Sequence, residues 1–334
     1  MAASPILDSA RQDWIHLILA PVWALALGLL LGLSPLPAWK VTAFGLTSSP
    51  VDACLGAFIM SHLAIVFFRS HGNAEVRGRH PVRFWIVPPA LLLLLLFSDA
   101  ALTAAAGLAL WWDVYHSSLQ TFGIGRIFDA KAGNDPEAGR ALDRTLSLLL
   151  YAGPILCGSM LLEHASPLYS FEAGDWARAL LHHQPRIRLL VIAAGLLFLV
   201  LYLETYAALA ERGYRPPREK VALHLGTAAV SVWAWGFNPL GMALFIMNFF
   251  HAWQYFALVW RYERENIGAV LRVPRGPRGR ALAFALFVGS AFAYGTVFGL
   301  LGELSSKALA VTLVVSLMHF WYDGFVWSVR RRQV

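Results

Sequence analysis

Residues 245–263 read FIMNFFHAWQYFALVWRYE. The stretch is apolar enough to lie in lipid, yet His251 and Gln254 stand in its middle. Three residues apart, they share one helical face. A polar pair at such a depth needs a physical reason, and that reason depends on the fold class.

Working outward, the 334-residue chain is 58% hydrophobic and only 14% charged, with mean hydropathy +0.57. Soluble domains carry roughly a quarter charged residues. Runs such as LLLLLLF (91–97) and VIAAGLLFLVLYL (191–203) are continuously apolar. Barrel strands alternate apolar with polar, so these runs argue against a β-barrel. They predict an all-α, polytopic membrane helical bundle forming a single transmembrane domain over residues 1–334.

Ten candidate spans are legible: 13–33, 51–68, 83–99, 100–124, 144–163, 188–210, 219–236, 239–260, 280–302 and 308–329. A tight turn near Ser98 and Asp99 joins the third to the fourth. The seventh and eighth meet at GFNP, where Pro239 suits a helix start. With the N-terminus inside, 22 of the 27 Lys and Arg residues fall on cytoplasmic segments. That bias predicts both termini cytoplasmic, and with the compact loops it predicts a bacterial inner membrane. It also accounts for the net charge of +7 without nucleic acid. The basic stretch RVPRGPRGR (272–280) is read as topology plus contact with anionic lipid. Residues 13–33 are long for a signal peptide and read as a retained first span.

Cys54 and Cys157 lie in apolar segments, so no disulfide framework or cysteine metal site is visible. The loop 164–187 contains SFEAGDWARALLHHQ, which suits a short surface helix. His182 and His183 there are adjacent and diverge by about 100° on a helix, a poor joint metal site.

Ionisable residues inside spans are costly and normally face a bundle interior. His62, His116, His251 and His319 stand on the second, fourth, eighth and tenth spans, which all run in one direction. Their depths are roughly 17–24 Å at 1.5 Å per residue, so the four fall in one layer. Glu204 on the sixth span reaches the same layer. His224, Asp99 and Glu163 sit at or near span ends.

Three of the four histidines have polar companions one turn away. Asp113 and Gln120 flank His116 in WWDVYHSSLQ, Gln254 follows His251, and Asp323 follows His319 in MHFWYDGF. A ligating histidine usually gives its second ring N–H to such a group. Imidazole-rich ligation with carboxylates suits iron, copper or zinc. Aromatic residues crowd the same depth, among them Trp112, Phe250, Tyr255, Phe256, Phe320 and Tyr322. A pocket lined by them would take a long apolar substrate.

HAWQYFALVW (251–260) and MHFWYDGF (318–325) resemble two motif stretches of the integral-membrane β-carotene 15,15′-dioxygenases, the Brp/Blh-like family. The resemblance implies several intramembrane histidines around non-haem iron. His251, His319 and Asp323 match family motif positions; His116 with Gln120 would replace a second His–Asp pair, and His62 in IMSHLAI matches an early histidine. Tyr255 stands where the family has a further histidine.

The expectation is an iron-dependent oxygenase or oxidoreductase acting with O₂ on an apolar, lipid-like molecule. His62, His116, His251 and His319 would be the metal ligands, with Asp113, Gln120, Gln254, Asp323 and Glu204 supporting the chemistry. Two rivals stay open: a cation, metal or proton transporter using the same layer, and a haem-binding electron carrier.

Overall fold

The computed structural model describes residues 4–43, 45–157, 174–238, 240 and 243–327. Its principal helices are α1 (Ala20–Gly32), α2 (Pro50–Arg69), α3 (Val87–Phe97), α4 (Asp99–Lys131) and α5 (Arg140–Cys157). They continue with α6 (Gly174–Glu211), α7 (Arg218–Gly236), α8 (Ala243–Val270), α9 (Pro277–Leu304) and α10 (Ser306–Val326). Among the described residues the strands are a short antiparallel hairpin, β1 (Val41–Ala43) and β2 (Leu46–Ser48). Gly45 turns that hairpin at φ +80, a left-handed conformation that glycine adopts without steric cost. The chain is therefore all-α in class.

Local chemistry sets several boundaries. Ser49 caps α2 by accepting from the Asp52 N–H at 2.9 Å, with Pro50 at the first helical position. Ser98 breaks the chain between α3 and α4 and accepts from the Ala101 N–H, giving the expected tight turn. The first span is not one rod: Ala10–Ile18 and α1 meet at 48°. Pro21, in the first turn of α1, has no N–H with which to continue the ladder of the preceding turn.

Among the described residues, each of the ten expected spans overlaps helix. Length and apolarity narrow the number. Among the described residues, α2, His182–Glu211 of α6, Pro277–Gly299 of α9 and α10 are long and apolar enough to cross a membrane. The bent pair makes a fifth if counted as one span. Other segments are too short, as is Pro81–Phe97, or too polar, as is α4 with Asp99, Asp113, Arg126, Asp129 and Lys131. The expected surface helix also differs. Residues 164–173 lie outside the described residues, and 174–187 are the opening turns of α6, which continues through Pro185. Pro239 and Glu163 lie outside the described residues as well.

Two compact units divide the chain. The first is Met1–Leu33 with Asp113–His251; the second is Ser34–Trp112 with Ala252–Val334. In the first, α7 lies against α5, α1 and the turn Trp14–Ile18, while α6 lies against α5. Its polar centre is a buried node. Arg126 Nη1 donates to Asp129 and Asp143 at 2.7 and 2.6 Å, and Lys220 Nζ donates to the same two at 2.8 and 2.6 Å. Tyr202 and Tyr206 donate to Asp143, and Tyr214 donates to Asp129.

In the second unit, α2 lies against α9 and α10, and α10 also against α3 and α9. The α2–α9 approach needs Gly295, where a Cβ would stand 2.0 Å from the Ala57 carbonyl oxygen. Small residues allow such close backbone approach between apolar helices. The core is built from Ile65, Val66, Phe68, Phe84, Val259, Phe287 and Leu313, among others. Burying each such side chain contributes roughly 1.5–3 kcal/mol when the alternative is water.

Candidate metal centre

The four expected histidines are all buried: His251 and His319 are 0% exposed, His62 1% and His116 4%. They form two pairs, one in each unit. In the first unit the rings of His116 (α4) and His251 (α8) meet edge to face, with centroids 4.9 Å apart. Gln120, one turn after His116, donates to the His251 carbonyl oxygen at 3.0 Å. Asp113, nearly one turn before His116, accepts a hydrogen bond from Asn248. Both companions thus tie α4 to α8. Sequence reading had assigned them to the His116 ring and passed over Asn248, whose position three before His251 was the available signal.

In the second unit His62 (α2) and His319 (α10) meet edge to face at 5.1 Å. The His62 Nδ1 is hydrogen-bonded to the Ile59 carbonyl oxygen. A protonated Nδ1 donating there leaves Nε2 as the lone-pair nitrogen, the arrangement that second partners impose on metal-binding imidazoles. Asp323 Oδ2 stands 4.0 Å from His319 Nε2. Its other oxygen accepts from Tyr255 Oη at 2.8 Å and Trp327 Nε1 at 2.9 Å. Tyr255 also places its ring edge to face on His319, with centroids at 4.7 Å. Gln254 is fully buried in this unit. Tyr255, read from sequence as a departure from a family motif, emerges as a structural partner of both His319 and Asp323.

Beside this pair lies a cavity of about 490 Å³. Its lining includes Leu63 and Met318, the next-door residues of His62 and His319, and no charged side chain. The walls are mainly aliphatic; of the aromatic residues expected to line a pocket, Tyr322 does so. His71 borders it with its ring nitrogens engaged by Ser70 Oγ and the Phe84 carbonyl.

Other expected residues lie elsewhere. Glu204 is exposed on α6. Tyr202 and Tyr206 turn the opposite face of that helix toward Asp143, and a residue midway between them points about 200° away. Glu204 therefore does not join the buried histidines, because packing turned the tyrosine face inward. Asp99 is exposed at the start of α4. His182 and His183 are exposed. His224 is buried, bonded through Nδ1 to the Lys220 carbonyl at 2.8 Å.

The buried ion pairs were not anticipated either. Sequence reading took Arg69, Arg126 and Lys220 as topology charges. The i,i+3 spacing of Arg126 and Asp129 was the one local hint of the first-unit node. Compared with protein-family models, with curated proteins and with solved structures, the chain matches none.

Proposed function

We propose that this protein is a membrane-embedded, metal-dependent oxidoreductase in which His62, His116, His251 and His319 hold non-haem iron. O₂ and an apolar, lipid-like molecule are its substrates. The observation that carries this reading is the burial of four imidazoles as two edge-to-face pairs. A neutral imidazole offers one nitrogen lone pair to a metal. With Asp323 beside His319, the donor chemistry fits iron, copper or zinc. Iron is preferred because HAWQYFALVW and MHFWYDGF resemble the Brp/Blh-like stretches. When bound, iron supplies open positions for O₂ chemistry.

The chain's own residues have separable tasks. The Ile59 carbonyl fixes the His62 tautomer. Tyr255 and Trp327 hold Asp323 at the His319 edge. Gln120 and the Asp113–Asn248 contact tie the helices that carry His116 and His251. The uncharged cavity next to Leu63 and Met318 excludes water and receives the apolar molecule from lipid. The same reading takes the chain as a bacterial inner-membrane protein with both termini cytoplasmic, on the 22-to-5 charge bias of the expected topology.

Elemental analysis and an optical spectrum of detergent-purified protein test this. About one iron per chain is expected, lost in His251→Ala and His319→Ala without loss of the helical fold. A wild-type protein that is fully stable, metal-free and takes up no iron overturns the proposal. An intense haem absorption band overturns it in favour of an electron carrier.

A further inference from the structure

His62 and His319 differ in number by 257, and so do Arg69 and Val326. Both pairs are in contact. The imidazole centroids are 5.1 Å apart, and Arg69 donates to the Val326 carbonyl oxygen through Nη2 at 3.0 Å and Nε at 3.3 Å. Contacts repeated seven residues on mean that α2 and α10 run parallel in one register, with Arg69 about two turns beyond the histidines.

Arg69 is itself held. Its Nη1 donates to Glu263 at 2.5 Å, and its guanidinium lies 4.6 Å from the centre of the Trp327 ring. Glu263 also accepts from Asn73 at 3.0 Å and Asn266 at 3.1 Å, and Asn266 donates in turn to the Phe68 carbonyl. Arg69 and Glu263 are both buried. The Val326 carbonyl belongs to the last turn of α10, where main-chain acceptors lack helical partners. A planar guanidinium can cap that carbonyl, pair with a carboxylate and stack on Trp327 together; an ammonium cannot reproduce all three.

We propose that Arg69, braced by Glu263, is a positioning residue for the histidine pair: it caps α10 and fixes its register against α2, keeping His62 level with His319. A slip of one residue moves a side chain about 1.5 Å along the axis and about 100° around it, enough to separate the rings. The consequence for metal binding rests on the proposed function; the register does not.

The test therefore has two arms. Spin labels on the exposed native Cys54 of α2 and on a Gly324→Cys substitution in α10, with Cys157→Ser, sit about 20 Å apart along the axis. Arg69→Met is expected to shift or broaden that distance by about 1.5 Å or more. Arg69→Lys, which keeps the charge and guards against a failure to fold, is expected to fall between. Iron(II) titration of the same proteins is expected to show at least a tenfold loss of affinity in Arg69→Met and partial rescue in Arg69→Lys. An unchanged label distance in both variants overturns the inference, as does a changed distance with iron affinity intact. A changed distance in a protein that binds no iron even as wild type overturns the metal reading and leaves the register role of Arg69 standing.

Discussion

In the first unit, Arg126 and Lys220 face Asp129 and Asp143, and three tyrosine hydroxyls complete the carboxylates' hydrogen bonding. The same unit buries His116 against His251, two groups that repel if both are protonated. The node pairs opposite charges, two positive with two negative, and so serves the fold. In the proposed function the imidazole pair serves metal binding instead. Breaking a buried ion pair is expensive, whereas altering a functional histidine should leave stability closer to normal.

The largest expected effect breaks the node. Lys220→Met leaves two buried carboxylates with Arg126 alone, and should cost about 3–5 kcal/mol in reversible unfolding in detergent. A loss near zero would mean that the node is solvated in the native protein. Iron content per folded molecule should stay unchanged, which separates the node from the histidines.

Acid sharpens the same contrast. Burial pushes the Asp143 carboxyl up, but the charges and hydrogen bonds of Lys220, Tyr206 and Arg126 outweigh it and hold it below its ordinary value of 3.8. A depressed folded-state value means the unfolded chain takes up the proton first. Its stabilising contribution is therefore complete above about 4 and is lost as pH falls through the folded value. Stability curves of wild type and Asp143→Asn should converge below that window; parallel curves would refute the assignment.

The smallest effect concerns the second unit. Tyr255→Phe removes one hydrogen bond to Asp323 while keeping the ring on His319. The expected loss is about 1 kcal/mol, with a measurable change in the optical spectrum of the iron-loaded protein. An unaltered spectrum would show that Tyr255 supports the helix pair and not the proposed centre.

Much of this architecture was legible in the chain itself. Continuous apolar runs gave the helical class, Ser98 and Asp99 gave the α3–α4 turn, and all four histidines are buried. Those features are local: hydropathy fixes where a helix lies, and counting residues fixes depth along it. Which face turns inward is settled only by neighbours, and that decided against Glu204 and in favour of Tyr202 and Tyr206 on the same helix. The cationic partners of Asp143 lie 17 and 77 residues away, and Arg69 lies 194 residues from Glu263. No periodicity spans such distances, so only the packed helices could decide which buried charges were paired and which imidazoles met.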